Sequence, residues 1–257
     1  MPTWNAAQYL KFGGERTRPS RDLAARIEVA QPARVIDLGC GPGNSTEVLA
    51  QRWPGAAITG LDNSAKMIEA AWAAHPQYRF VAADIAQWAA AEGGETFDVV
   101  FSNAALQWVP DHASLLPRLM ARVAPGGALA FQMPGHDSPA HRLMRSLANA
   151  IGLRVVDWHT HEPSFYYDVL APGVTQTAAR VDLWETEYLH VMADAEAIVE
   201  WYRGSGLRPF LDALGTGAER EQFEADFLDG LRKAYPKRPD QRVLFPFRRV
   251  FAIAYRG

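Results

Sequence analysis

The chain is poor in cysteine: its 257 residues include a single thiol, Cys40. One cysteine excludes an internal disulfide and any cysteine-built zinc cage. Long apolar runs are missing as well. None approaches the roughly 18 residues that a membrane helix needs, and Met1 to Gln8 is polar rather than signal-like. A strong positive charge is also absent, the formal net charge being −3. That charge is uneven: residues 203–257 carry eleven basic and seven acidic side chains, net +4, against −7 for residues 1–202. An acidic body does not suit a nucleic-acid binder, which needs a basic stripe to displace counterions from phosphates. With 48% hydrophobic and 21% charged residues, the chain can still bury a core. The expectation is a soluble, cytoplasmic protein with no membrane or nucleic-acid partner, a monomer or weak dimer.

What is present alternates. Arg34 to Leu38 reads as a buried strand, Asn44 to Trp53 as a helix capped by Asn44 or Ser45, and Ala57 to Asp62 as a strand. Ser64 to His75 reads as a helix with Met67, Ile68 and Ala71 inward. Phe80 to Asp84 and Phe97 to Asn103 read as strands, followed by a helix near Ala113 to Val123. The turn Pro125-Gly126-Gly127 then introduces a strand over Ala128 to Met133. This spacing predicts parallel βαβ units and helices on both faces of one sheet. Further on, His136 to Leu153 reads as helix and Arg180 to Met192 as a long alternating strand. Asp194 to Tyr235 reads as two or three helices broken at Gly204–Gly206 and Gly215–Gly217, and Phe247 to Tyr255 as a closing strand. The expected organisation is one domain. It has an N-terminal arm (1–30), a core (31–134), and a region (135–257) holding a substrate cap and the last two strands.

The segment Asp37-Leu38-Gly39-Cys40-Gly41-Pro42-Gly43-Asn44 sits at a strand end and opens a helix. Glycine lets the backbone turn sharply and lets a ligand approach the main chain. A dinucleotide fingerprint requires glycine where the chain has Asn44, and no Lys-Ser/Thr pair follows as a phosphate loop demands. Asp62 ends the second strand, where a carboxylate can accept both hydroxyls of a ribose, and Asp84-Ile85 ends the third, where a carboxylate can meet an adenine amino group while the isoleucine packs on the ring. Asp37, Asp62 and Asp84 thus mark the carboxyl edge, where open α/β sheets bind ligands. Cys40 lies near a helix N-terminus, where a thiol can be activated, but reads as a small filler. No metal-ligand set and no Ser/His/Asp or Cys/His set is evident.

Val35-Ile36-Asp37-Leu38-Gly39-Cys40-Gly41-Pro42-Gly43 resembles the first motif of the class I S-adenosylmethionine-dependent methyltransferases, and Asp62, Asp84 and Asn103 resemble its later positions. The resemblance implies a doubly wound, mostly parallel Rossmann-like α/β sheet of seven strands, the last antiparallel, with a helical cap before it. It places Gly39 and Gly41 at the methionine part of S-adenosylmethionine, Asp62 at the ribose, and Asp84 and Ile85 at the adenine. Asp37, Asn44, Asn63, Met67 and Asn103 join that cofactor site, and Arg16 is a candidate for the cofactor's carboxylate.

Several further segments resemble the trans-aconitate methyltransferases. They are Trp4-Asn5, Tyr9, Phe12, Glu15-Arg16-Thr17-Arg18-Pro19, Gly43-Asn44-Ser45-Thr46, Ser102 to Trp108 and Gly206-Leu207-Arg208-Pro209. That resemblance implies methyl transfer to a carboxylate of a small tricarboxylic acid.

A carboxylate is ionised at neutral pH, so such a reaction needs alignment rather than a base. An anionic substrate calls for arginines, whose planar fork matches a carboxylate. Arg18, Arg203, Arg208, Arg248 and Arg249 are candidates; Arg248 and Arg249 alternate across a strand, so only one faces a given side, and Arg249 is preferred because Arg249-Val250-Phe251 resembles the family's C-terminal strand. Trp108 and His136 complete the expected substrate set of Arg18, Trp108, His136, Arg208 and Arg249. The aromatics Trp158, Tyr166, Tyr167, Trp201, Tyr202 and Phe210 read mostly as packing. On the residues alone other readings stay open: another acid, a phenol or an amine as acceptor, a nucleic-acid base methyltransferase, a cofactor-binding module without turnover, or a nicotinamide dehydrogenase.

Overall fold

The computed structural model describes residues 13–135, 137–155, 158–171 and 178–257. Helix α1 (Gly13–Arg26) packs against α2 and β5 of the core that follows. That core runs β1 (Arg34–Leu38), α2 (Asn44–Arg52), β2 (Ala57–Asp62), α3 (Ala65–Ala74), β3 (Arg79–Ala82), α4 (Ile85–Ala90), β4 (Phe97–Asn103), α5 (His112–Ala121) and β5 (Val123–Pro134). Then come α6 (Pro139–Ala150), α7 (Pro163–Leu170), β6 (Ala178–Met192), α8 (Ala195–Arg203), α9 (Arg208–Ala213), α10 (Gly217–Ala234) and β7 (Val243–Arg256). The sheet order is β3-β2-β1-β4-β5-β7-β6. The first five strands pair in parallel, and β7 runs antiparallel to β5 with Pro134 opposite Arg249. The doubly wound sheet, its reversed last strand and the helices ahead of that strand are as expected.

The strands form because they are covered on both faces. Val35, Ile36 and Leu38 of β1 and Val99, Val100 and Phe101 of β4 are buried without interruption, the signature of a central parallel strand. Short polar residues start the helices: the side chains of Ser64, Asp84, Asp111, Ser138 and Asp194 each accept from a backbone N–H in the first turn. Thr216 and Glu219 satisfy each other's backbone in a capping box at α10. Helix α2 is the exception. Its cap is Gly43 in the left-handed conformation with no side-chain bond, so neither Asn44 nor Ser45 caps it; Ser45 is turned inward instead. The segment Pro125-Gly126-Gly127 also departs from expectation. It lies inside β5 as an irregularity, because Val123 already pairs with Phe97 before the register shifts.

The chain divides into two compact units. One holds residues 13–134, 159–186 and 249–257, with the parallel core. Within it Leu38, Leu61, Val100, Leu116, Leu129 and Phe131 belong to one apolar cluster. The other holds 135–158 and 187–248, with α6 and α8–α10. Its core is aromatic: Trp201, Tyr202, Phe227 and Phe245 are all at most 1% exposed. Among the described residues no helix is long and apolar enough to cross a membrane.

Candidate active site

The carboxyl ends of β1, β2 and β3 gather the glycine turn and the acidic residues. Leaving β1, the backbone N–H groups of Gly39 and Cys40 both donate to the Leu61 carbonyl at 2.7 and 3.0 Å. Gly39, Gly41 and Gly43 all have positive φ, a region that side chains disfavour. At Gly39 the need is also steric, since a Cβ there would lie 2.1 Å from the Ala105 Cβ. A Cβ on Gly41 would meet nothing within 4 Å, so this part of the turn borders open space.

Asp62 locks the turn. One carboxylate oxygen accepts from Gly41 N at 3.0 Å and the other from Ser64 N at 2.9 Å. Each oxygen keeps a second lone pair for a ligand. Burial pushes its pKa up, while those two N–H groups oppose the shift. Asp37 is different in kind: it is fully buried, and Oδ2 accepts from the Ser45 and Thr46 hydroxyls at 2.7 and 2.8 Å. Its Oδ1 has no partner among the described residues. Burial raises this carboxyl to about 6, with the two hydroxyls pulling the other way. Asp37 therefore ties β1 to α2 from inside rather than lining the edge.

The remaining expected cofactor residues distribute as follows. Asp84 is half-buried and caps α4 by accepting from Gln87 N at 3.0 Å. Ile85 is buried, with its Cδ1 3.8 Å from where a Gly39 Cβ would be. Met67 is buried under α3, Asn44 is half-buried, and Asn63 is exposed. Arg16 is buried on α1, whereas Arg18 is exposed. Cys40 packs with Ile68, Ala71 and Phe80; its thiol is pushed far up by burial, as a filler requires.

On the other half of the edge, Asn103 ends β4 and is buried. The next residue, Ala104, takes a left-handed φ of 55°, costly for alanine and frequent at functional sites. Trp108 follows, half-buried, in a single 3-10 turn (Leu106–Trp108). Arg249 is buried and bonded to Gln132, while Arg248 is half-buried, consistent with their alternation. Arg208 opens α9 in the second unit and is half-buried. His136 lies outside the described residues, as do Trp4, Asn5, Tyr9 and Phe12. Arg203 is committed elsewhere: it makes a two-pronged ion pair with Glu224 at 2.7 Å and a second with Glu200. Trp201, Tyr202 and Phe210 are core residues of that unit, and Trp158 stacks on His141 with centroids 4.5 Å apart.

Sequence reasoning missed two features. Gln132, fully buried in an apolar strand, was signalled only by its polarity inside Ala130-Phe131-Gln132-Met133. The second is a histidine–tyrosine pair bracing the loop after β4. His112 Nε2 donates to the Leu106 carbonyl at 2.9 Å, and its Nδ1 lies 3.5 Å from the Tyr166 hydroxyl, which accepts from His161 N. Burial lowers the His112 pKa. Nothing in the sequence linked positions so far apart.

Comparison with known proteins assigns the class first. Residues 12–215 match the methyltransferase domain family. The fold is shared with the YcgJ protein of Bacillus subtilis (TM-score 0.60, 16% identity, 93% of this chain and 98% of that one). It is shared also with Haemonchus contortus phosphoethanolamine N-methyltransferase 2, solved with S-adenosyl-L-methionine (TM-score 0.60, 15% identity, 96% and 56%). Curated sequences are far nearer. The trans-aconitate 2-methyltransferases of Azoarcus sp. and Methylobacterium nodulans are 48% and 49% identical over 100% of this chain and 100% and 99% of theirs. The chain belongs to the trans-aconitate 2-methyltransferase family.

Proposed function

We propose that the chain is an S-adenosylmethionine-dependent O-methyltransferase. It esterifies a carboxylate of a small tricarboxylic acid, trans-aconitate foremost, to the monomethyl ester and releases S-adenosylhomocysteine. The observation that carries this reading is near-half identity, end to end, to proteins of that name. The carboxyl edge fits the cofactor. Gly41 borders open space, as a close-approaching ligand requires, and Asp62 is held by two backbone N–H groups with acceptor capacity to spare. Asp62 would take the ribose, Asp84 and Ile85 the adenine, Gly39 and Gly41 the methionine portion, and Arg16 its carboxylate. Asn44, Asn63 and Met67 would complete that site.

When bound, the cofactor supplies a methyl group on a sulfonium, ready for in-line displacement. The acceptor carboxylate is already ionised at neutral pH, so no side chain has to remove a proton. What the chain contributes is position, which is worth roughly 7–11 kcal/mol when reacting atoms are held at near-attack distance. Arg249 would hold the anion at the β7 end of the edge; its permanently charged guanidinium binds a carboxylate without a proton to lose. Arg18 and Trp108, in the same compact unit, are the further candidates for the acid. The division of the edge supports this reading: Asp62 ends β2, Asp84 follows β3, and Arg249 lies on β7.

The test is methyl transfer from labelled S-adenosylmethionine to a panel of di- and tricarboxylates, trans-aconitate and its cis isomer side by side, with phenols and amines included. Trans-aconitate is expected to give the highest kcat/KM. Transfer to an amine or phenol and to no acid would reject the ester reading.

A further inference from the structure

Three buried polar side chains, Asn103, Gln132 and Arg249, form a hydrogen-bonded row across β4, β5 and β7. Gln132 Nε2 donates to Asn103 Oδ1 at 2.5 Å, and Arg249 Nη1 donates to Gln132 Oε1 at 3.3 Å. The strand register builds the row. Gln132 is the direct partner of Asn103 on the parallel neighbour, and lies diagonal to Arg249, which faces Pro134 across the antiparallel pair. Such diagonal pairs are within reach of long side chains.

Arginine dictates the direction of every bond. A guanidinium offers only donors, so Gln132 must present its oxygen to Arg249. Its NH2 then faces Asn103, which must answer with its own oxygen. That leaves the Asn103 Nδ2 group as the terminal donor of the row, and it makes no hydrogen bond among the described residues. An amide at position 132 also holds the arginine without cancelling its charge. A carboxylate there would grip it harder but neutralise it. The row therefore combines a cation and a neutral donor beside the end of β5, a set that suits an ionised carboxylate.

We propose that Gln132 is the positioning residue of the substrate-carboxylate subsite, fixing the Arg249 guanidinium and turning the Asn103 amide so that its NH2 serves the same anion. The inference rests on the carboxylate reading above, and it moves Asn103 from the cofactor half of the edge, where the family resemblance puts it, to the substrate half. Gln132 acts through its two neighbours and touches no reacting atom.

Gln132→Glu and Asn103→Asp test it in the full chain. Each is compared with wild type by calorimetry of trans-aconitate onto the S-adenosylhomocysteine-loaded protein, calorimetry of S-adenosylhomocysteine alone, and steady-state kinetics. Both variants are expected to weaken acid binding and raise KM by about tenfold or more, with kcat and S-adenosylhomocysteine affinity within about threefold, the pattern of lost substrate binding. Unchanged acid affinity in the folded variants overturns the proposal. So does an Asn103→Asp protein that loses S-adenosylhomocysteine while keeping the acid. If Gln132→Glu shows no melting transition, Asn103→Asp decides alone. Wild type that binds the acid but never methylates it overturns the functional reading, while the binding comparison still judges Gln132. Wild type that binds no acid overturns both.

Discussion

Replacing Asp37 with asparagine should change how stability depends on pH. The side chain is fully buried, and both of its hydrogen bonds come from the Ser45 and Thr46 hydroxyls on one oxygen. Burial therefore dominates, and the carboxyl titrates at about 6 in the folded protein against 3.8 ordinarily. A carboxyl raised on folding stabilises the protein when protonated. That contribution is complete below the unfolded value and disappears as pH rises through the folded one. The gap corresponds to about 3 kcal/mol in all, of which about 1.4 kcal/mol is gained on going from about pH 8 to about pH 5. Asparagine keeps an oxygen for the two hydroxyls but has no proton to bind. Urea unfolding at both pH values is the assay, the quantity being the wild-type stability minus that of Asp37→Asn. Subtraction removes the contribution of the other titrating groups. The difference should move in favour of wild type by about 1 to 1.5 kcal/mol at the lower pH. A difference that stays flat, or moves the other way, would refute the claim that an unpaired buried oxygen sets the titration of Asp37.

Asp62→Ala should weaken S-adenosylhomocysteine binding by at least about tenfold in calorimetry, about 1.4 kcal/mol; wild-type affinity would sink the ribose assignment. Gly39→Ala forces a Cβ into contact with Ala105 at a positive φ, and should lower Tm by roughly 4 °C or more, since about 1 kcal/mol shifts a chain of this size by a few degrees. An unchanged melting curve would mean the turn gives way more easily than its packing implies. Arg249→Lys should raise KM for the acid and leave S-adenosylhomocysteine affinity intact, because an ammonium keeps the charge but loses the planar fork. Unaltered kinetics would remove Arg249 from the substrate site.

The alternation of strands and helices was legible because parallel strands covered on both faces are short and rich in apolar residues, as Val35, Ile36 and Leu38 of β1 and Val99-Val100-Phe101 of β4 show. Helix α7 was not foreseen: Pro163–Leu170 spans only eight residues, too few to establish a helical period. The cap of α2 was misread for a related reason. Ser45 has the chemistry of a cap, and only the approach of β1 shows that its hydroxyl serves Asp37.

The sequence by itself determined the sheet, the glycine turn at its edge and the family, since these depend on local periodicity and on residues close together in the chain. Tertiary structure alone decided which polar groups are buried and which way they point. Asp37 turned inward, Arg203 was taken up by Glu224, and Gln132 came between Asn103 and Arg249. Each of these depends on strand register or helix packing that joins positions 8 to 117 residues apart, and no local pattern encodes such a pairing.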